Sequence, residues 1–165
     1  MGSNFTGLTV TWYDEGDGYS TNIDITSDVV SVPLFTDTGS GEINEAEVVL
    51  SAKGGRFITA ADWVTSTAYV VGDRVKESSK FYRCIEKHTS GTFATDLAAN
   101  KWTQEADFDK YDRIRIEVSD IASTPNSYDR YFEIDTIVPS QSKTEGTLVT
   151  LRCIGIEYHT QMIHV

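Results

Sequence analysis

The chain has 165 residues, of which 39% are hydrophobic, and it carries a formal net charge of −11. This length fits one ordinary domain, or a small domain with a smaller insert, and the apolar content is enough for a core, which excludes a disordered protein. The acidic balance disfavours nucleic acids and anionic membrane surfaces as partners, because both are bound through clustered positive charge. No apolar run reaches the length that spans a bilayer, so we expect no insertion into a membrane.

Alternation of apolar and polar residues predicts β-strands along most of the chain. In chain order, these segments are LTVTWYD (8–14), NIDIT (22–26), INEAEVVLSA (43–52), DRIRIEVSD (112–120), RYFEIDTIV (130–138) and GTLVTLRCIGIEY (146–158). No segment keeps a helical period over three turns. The cleanest strand is DRIRIEV, in which Ile114 and Ile116 share one face while Arg113 and Arg115 share the other, as in an antiparallel sheet with one solvated face.

Two local features refine this prediction. In the last segment the apolar phase changes near Gly155, which indicates a β-bulge there. The acidic cluster DEGDG at 14–18 lacks the ligand spacing of a helix-loop-helix calcium site, so we expect an exposed hairpin turn.

Charge divides the chain into three parts. Residues 1–59 carry nine acidic and two basic side chains, residues 60–108 carry seven and six, and residues 109–165 carry nine and six. The nearly neutral middle also holds a dense aromatic set: Trp63, Tyr69, Phe81, Tyr82, Phe93, Trp102 and Phe108. We predict that residues 60–107 form an inserted module and that residues 1–59 and 108–165 are halves of one β-domain, because neither half alone has enough strands. The predicted fold class is all-β, a split antiparallel β-barrel or sandwich with a small inserted three-stranded module.

The middle module contains a series of motifs. In order, they are Trp63, the TAY of 67–69, Gly72, Val75, the YRC of 82–84, the HTS of 88–90 and Trp102. This series resembles the small chitin- and cellulose-binding modules appended to bacterial chitinases and endoglucanases. The variant HTSGTFATDLAANKW is more similar to the copies of this module in bacteriophage tail and tail-fibre proteins. The resemblance implies a short twisted antiparallel sheet, formed here by RVKES, FYRCIEK and KWTQEA, around a small aromatic core.

A shallow carbohydrate-binding site is a further implication, since a flat aromatic ring can cover the C–H face of a pyranose. The residues expected to contribute are Tyr69, Phe93, Tyr82 and His88. Tyr69 and Phe93 are the expected exposed pair, whereas Trp63 and Trp102 are assigned to the core. His88 belongs to the HTS signature and is expected to hold its loop by hydrogen bonds rather than to bind a metal.

The chain departs from that family at two places on the binding face. Where the family usually has a tyrosine and an Asn-Gly turn, this chain has Glu77, Ser78 and Ser79. Where the family often has an exposed tryptophan after HTS, this chain has Phe93. We therefore expect the scaffold to be kept and binding to chitin or cellulose to be weak.

The flanks show a characteristic order of strand types. A strand that ends in a polar hinge (VVSVPLFTDTGSGE) precedes a strand with EAEV, and DRIRIEV, RYFEIDTIV and a last strand containing Cys153 follow the module. This order resembles the start of bacteriophage tail-hub and baseplate-hub proteins. It implies a β-barrel that assembles with its own copies into a trimeric or hexameric ring and contacts other tail proteins, in a virion assembled from protein made in the host cytoplasm.

Catalytic signatures are absent from the sequence. It contains no G-x-S-x-G, no H-E-x-x-H and no phosphate-binding glycine loop. We expect no enzymatic activity, no catalytic residue, no metal site and no cofactor. Cys84 and Cys153 lie far apart and are expected to be two reduced, packed thiols.

Two classes of function follow from these patterns. One is a structural virion protein of the tail hub or baseplate, with a projecting module that contacts host surface glycans. The other is a carbohydrate-binding accessory fragment of a secreted polysaccharide-degrading enzyme. The split arrangement favours the first, because accessory modules usually lie at chain ends behind flexible linkers.

Overall fold

The computed structural model describes residues 7–36, 45–118, 128–144 and 146–156. In chain order the strands are β1 (Leu8–Tyr13), β2 (Asn22–Asp24), β3 (Val29–Thr36), β4 (Glu45–Ser51), β5 (Ala61–Asp62), β6 (Ala68–Tyr69), β7 (Arg74–Glu77), β8 (Lys80–Cys84), β9 (His88–Thr89), β10 (Trp102–Glu105), β11 (Arg113–Val118), β12 (Tyr128–Ser142) and β13 (Gly146–Gly155). One short α-helix, α1 (Phe93–Ala98), precedes β10. The fold is all-β, and among the described residues no helix is long and apolar enough to cross a membrane.

Two compact units make up the chain. The split unit contains residues 1–54 and 108–165, and the module contains residues 55–107. The sequence placed the start of the module at residue 60, but the compact unit begins at Gly55. Arg56 explains the earlier start, because its guanidinium lies 3.6 Å from the carboxylate of Glu105 near the other end of the module.

The split unit is one seven-stranded sheet with strand order β2-β1-β11-β12-β13-β4-β3. Strands from before and after the module pair antiparallel with each other. β1 pairs with β11, with Leu8 opposite Val118, and β13 pairs with β4, with Leu148 opposite Ser51. Neither half of the chain contains a sheet with this order by itself, so the sheet forms only when both halves pair.

The sheet of the split unit must curl, because its two edge strands are neighbours in sequence. From Asp24 at the end of β2 to Val29 at the start of β3 the chain can reach at most about 18 Å. A flat sheet of seven strands would separate these edges by about 29 Å. The edges are not hydrogen-bonded to each other in the described residues, so the sheet is open and sandwich-like rather than a closed barrel.

One face of this sheet forms the core of the split unit. The buried side chains are Val10 and Trp12 on β1, Ala46, Val48 and Leu50 on β4, Ile114 and Ile116 on β11, Phe132 and Ile134 on β12, and Val149, Leu151 and Cys153 on β13. The predicted alternation in DRIRIEV is confirmed, since Ile114 and Ile116 are fully buried and Arg113 and Arg115 are only half-buried. Period-two patterning therefore decides which face points inward.

The predicted bulge is at a different place from the one that the sequence indicated. Burial alternates without interruption through Val149, Leu151, Cys153 and Gly155, so β13 has no change of phase at Gly155. The register shift lies in the partner strand β12, where Asp135 is the extra residue between Ile134 and Thr136. Half-buried apolar side chains on the outer face of β13 produced the apparent change of phase. The acidic segment 14–18 does form the hairpin turn between β1 and β2, with a 3₁₀ turn at Glu15–Asp17.

The module has a four-stranded sheet in the order β10-β8-β7-β5 and a separate two-stranded sheet of β6 and β9. The three predicted strands RVKES, FYRCIEK and KWTQEA correspond to β7, β8 and β10. The two-residue strand β5, which pairs parallel with β7, and the helix α1 were not predicted. Both are too short to show a period in the sequence, and Thr92 at the N-cap of α1 makes no side-chain capping hydrogen bond.

Candidate functional site: the aromatic cluster of the module

The inner face of the module sheet carries a compact apolar cluster. Val75 lies opposite Tyr82, and Cys84 lies opposite Trp102, so these four side chains point to the same side of the sheet. All four are buried. Tyr69 from β6 completes the cluster, and Trp63, Phe93 and Leu97 pack against it as partly buried side chains.

The four residues that the sequence predicted for sugar binding lie together in this cluster. Their rings meet each other and the two tryptophans edge-on or tilted. The centroid separations are 4.7 Å for Tyr82–Phe93, 5.0 Å for Tyr69–Trp102, 5.3 Å for His88–Trp102, 5.8 Å for Trp63–Phe93 and 6.0 Å for Tyr69–His88. Such contacts stabilise a small core by about 0.5–1.5 kcal/mol each beyond burial. Most of these rings therefore build the scaffold.

The expectation that Tyr69 is exposed is wrong. Only 8% of Tyr69 is accessible, and its ring packs against Trp102. Its hydroxyl accepts a hydrogen bond of 2.9 Å from the amide of Val64 and donates to the carbonyl oxygen of the same residue at 3.3 Å. Tyr69 is drawn inward because β6 pairs with β9, which places it opposite His88. A turn at Gly72 follows, but it does not turn the ring to solvent.

Phe93 and Trp63 form the half-buried edge of the cluster. Phe93 is the first residue of α1 and contacts both Tyr82 and Trp63. Trp63, which was assigned to the core, does pack against the cluster but is only half-buried. It follows the edge strand β5 and is held there by a hydrogen bond from its amide to the carbonyl oxygen of Lys76. The pair that reaches solvent is thus Trp63 and Phe93, not Tyr69 and Phe93.

Tyr82 and His88 make contacts inside the module that stabilise its fold. Burial raises the pKa of Tyr82, which is 8% exposed on the inner face of β8. The Nδ1 atom of His88 lies 2.7 Å from the carbonyl oxygen of Glu86, and its Nε2 atom lies 3.7 Å from the carboxylate of Asp96. These contacts fix the loop after β8, as predicted for the HTS signature. Across the part of the chain that the structure describes, no group of three or more His, Cys, Asp or Glu side chains could hold a metal ion.

Asp96 and Ser90 organise the loop beneath the rings, and the sequence did not single them out. The Asp96 carboxylate accepts hydrogen bonds from the amide of Gly91 at 2.9 Å and from the ammonium of Lys101 at 3.2 Å. Burial alone would raise the pKa of Asp96, but these two donors lower it on balance. The hydroxyl of Ser90 donates to the carbonyl oxygen of Val64 at 2.8 Å. Only the position of Ser90 within HTS hinted at this role.

The outer face of the module sheet is charged. The carboxylate of Glu105, of which 3% is exposed, accepts a hydrogen bond of 2.6 Å from Nε of Arg74 and a second, shorter one from Nη2 of the same residue. Nε of Arg83 lies 3.2 Å from the same carboxylate, and Nε of Arg56 lies 3.6 Å from it. We call Arg56, Arg74, Arg83 and Glu105 the arginine clasp. Because Arg56 begins the module and Glu105 is near its end, the clasp joins the two ends of the insert.

No pattern in the sequence predicted the arginine clasp, because Glu105 in KWTQEA has the pattern of a solvated strand residue. Both cysteines are free thiols and buried, Cys84 in the module and Cys153 in the split unit, where burial raises the thiol pKa. The module thus offers two distinct surfaces, a small half-exposed aromatic edge and a basic outer face.

The chain matches no protein-family model, no curated protein and no solved structure.

Proposed function

We propose that this chain is a structural component of a bacteriophage tail, in a hub or baseplate ring, whose inserted module contacts glycans on the host surface. The observation that carries the proposal is the placement of the module. The module lies in the chain between β4 and β11. The strands before it and the strands after it belong to one seven-stranded sheet. An insertion of this kind leaves the sheet of the split unit complete and free to assemble.

The resemblance of both parts to tail proteins supports the same proposal. The motif residues of the module occupy scaffold positions, with Trp102 and Tyr82 in the core and His88 and Ser90 in loop-fixing contacts. Such a scaffold leaves few rings for a ligand. Sugar contact falls to the half-exposed pair Trp63 and Phe93, whose rings meet at an interplanar angle of 77° and so do not form one flat platform.

Weak binding to neutral polysaccharides follows from this geometry. A stacked ring contributes about 0.5–1.5 kcal/mol beyond burial, so one or two partly exposed rings give marginal affinity. We expect little retention of the full chain on insoluble chitin or cellulose at micromolar protein. Phe93→Ala should remove what retention there is, whereas Tyr111→Ala, which removes an exposed ring of the split unit, should leave it unchanged.

Tyr69→Ala separates binding from folding in the same pull-down. Because Tyr69 is a core residue, its truncation should destabilise the module by about 3 kcal/mol and reduce retention only through unfolding. Strong retention that survives both Phe93→Ala and Trp63→Ala would show that the aromatic edge is not the sugar site.

The assembly part of the proposal is tested by native mass spectrometry together with particle imaging. A tail ring is built on threefold or sixfold symmetry with heterologous contacts, so we expect trimers or hexamers, alone or with a tail partner. A stable twofold dimer would contradict the hub proposal. A strictly monomeric chain with strong sugar binding would favour the alternative, an accessory fragment of a polysaccharide-degrading enzyme, for which the aromatic cluster is the supporting feature.

A further inference from the structure

We propose that the outer face of the module sheet binds anionic glycans, in which a carboxylate or phosphate is attached to a sugar or polyol chain. The charged face is defined here as Arg74, Lys76, Phe81, Arg83 and Thr103 together with the clasp residues Arg56 and Glu105. The inference rests on the proposed glycan-binding role and names the class of glycan. It concerns the face opposite the aromatic cluster.

Strand pairing concentrates positive charge on this face. Arg74 lies directly opposite Arg83, and Lys76 lies directly opposite Phe81, in the β7–β8 pair. Like charges that face each other across two strands destabilise a sheet. The carboxylate of Glu105, brought in on β10 opposite Phe81, offsets part of this repulsion.

Positive charge nevertheless remains on the face after this pairing. Arg74 and Arg83 share the carboxylate of Glu105, which leaves an excess of one positive charge among these three side chains. Lys76 and Asp62 are register partners in the parallel β5–β7 pair and add no net charge together, but Lys76 remains exposed. The face therefore keeps one positive charge in excess among these five side chains, in a chain whose net charge is −11. A polyanion repelled by most of this chain would be attracted here.

Hydrogen-bond donors also exceed acceptors on this face. A guanidinium has five N–H donors, and one carboxylate offers about four acceptor sites. Nη1 of Arg74 has no hydrogen-bond partner among the described residues but is buried, so the donors open to a ligand are those of Arg83, whose side chain is 45% exposed although its Nε lies 3.2 Å from Glu105. A guanidinium already fixed by a carboxylate loses little side-chain entropy when it binds a second anion.

An aromatic ring beside the charges suits a sugar rather than a bare anion. Phe81 is half-buried, and the ammonium of Lys76 lies 5.9 Å from its ring centroid. A pyranose could place C–H groups on this ring while its acidic substituent reaches Lys76 or Arg83. Neutral chitin or cellulose would gain nothing from the charges, which agrees with the weak neutral binding expected of the aromatic edge.

The test measures binding of the full chain by isothermal titration calorimetry to three soluble polymers at low salt. These are polygalacturonate, which carries carboxylates, a poly(glycerol phosphate), which carries phosphodiesters, and neutral hydroxyethylcellulose. We expect one or both anionic polymers to bind at least about tenfold more tightly than the neutral one, with affinity that falls as salt rises. The comparison of the first two identifies which anionic group is recognised. Equal binding of all three polymers, or no binding of either anionic one, would overturn the inference.

Variants locate the site. Lys76→Gln removes a charge outside the clasp, and Arg83→Gln removes the most exposed guanidinium. The double variant should weaken anionic binding by about tenfold, a change of about 1.4 kcal/mol. Lys87→Gln is the matched control, because Lys87 is an exposed module lysine that lies outside the charged face. An equal loss in Lys87→Gln would mean that only net charge matters, and single-stranded DNA that binds as tightly as the glycans would mean that any polyanion suffices. Either result would refute a glycan site.

The two proposals can fail separately. Loss of neutral-sugar retention in Phe93→Ala with no preference for anionic polymers would refute the charged face and leave the aromatic edge in place. Anionic binding that depends on Lys76 and Arg83 in a chain that forms no ring would support the charged face and refute the tail-ring assignment. Hydrogen exchange of each variant shows whether the module is folded. If Arg83→Gln lowers the protection of the module, the loss of anionic binding in Lys76→Gln alone tests the charged face.

Discussion

The turn between β7 and β8 is predicted to store strain that two substitutions relieve. Glu77 and Lys80 pair with each other, so Ser78 and Ser79 form a two-residue hairpin loop. Their φ angles are 50° and 70°, which is the pattern of a type I′ turn. Such turns strongly favour Asn-Gly, because both central residues have left-handed backbone conformations. This chain places two residues with a Cβ atom there.

The expected gain can be worked from these two angles. A residue with a Cβ atom costs about 1–2 kcal/mol in the left-handed region, and glycine avoids that cost. Glycine also raises the conformational entropy of the unfolded chain, which offsets about 0.5–1 kcal/mol. Ser79→Gly should therefore stabilise the module by about 0.5–1 kcal/mol, and Ser78→Asn should add about 0.5 kcal/mol because asparagine tolerates this conformation. The exposed hydrogen bond of 3.3 Å from Ser78 to Glu77 subtracts little.

Native-state hydrogen exchange of the full chain measures this gain, in peptides that cover β7 and β8. A stabilisation of about 1.4 kcal/mol in the double variant appears as about tenfold greater protection of their amides. Ser79→Ala is the matched control, because it removes the same hydroxyl but keeps the Cβ atom. If Ser79→Ala protected the module as much as Ser79→Gly, or if the double variant lowered protection, backbone strain would not be the cause.

Three further predictions concern the buried carboxylates. Glu105→Gln should destabilise the module by roughly 2 kcal/mol, because the clasp loses its carboxylate while its arginines remain partly solvated. Thermal unfolding measures this loss, and Glu105→Asp, which keeps the charge, should lose less. The pKa of Asp96 is lower in the folded module than in the unfolded chain, where it is near 4. Its contribution to stability is therefore complete above the unfolded pKa and is lost as pH falls through the lower folded pKa. Asp96→Asn should make the stability of the module less dependent on pH in this acidic range, as measured by denaturant titrations at several pH values. Asp112→Ala should cost about 3 kcal/mol or more in chemical denaturation of the split unit, because it leaves the indole N–H of Trp12 and two backbone amides without an acceptor. A loss below about 1 kcal/mol would show that water replaces the carboxylate there.

The strands of the fold could be predicted because half-buried antiparallel strands record their inward face in every second residue. Ile114 and Ile116 illustrate this, and the same period predicted β1 and β4, whereas the three longest strands of the module were expected from the family resemblance. The sheet edges could not be read in this way. β5 and β6 have two residues each, and the pairing of β5 with β7 depends on tertiary contacts that leave no period in the sequence.

The candidate site was predicted less well than the fold, and Tyr69 shows why. Tyr69 precedes a turn at Gly72, which argued for exposure, yet pairing with His88 turns the ring into the core. Glu105 shows the opposite error. Its burial depends on arginines from distant parts of the module. Because these arginines are not its neighbours in sequence, the sequence around Glu105 looks like that of a solvated strand residue.

Buried carboxylates also explain how one chain can hold an insert without weakening the sheet it interrupts. In the split unit, Asp112 follows the module and accepts hydrogen bonds from Trp12 and Glu15, which precede it, each at 2.8 Å. In the module, Glu105 near its end binds Arg56 at its beginning. Each unit thus joins its own two chain segments through a carboxylate that is buried from solvent. Burial raises the pKa of Asp112. Burial also makes a donor that loses this acceptor costly. Because these ties lie within each unit, substitutions on the surface of the module need not disturb the sheet. The tail function that we propose would use that separation, because host contacts could then vary while the ring stays constant.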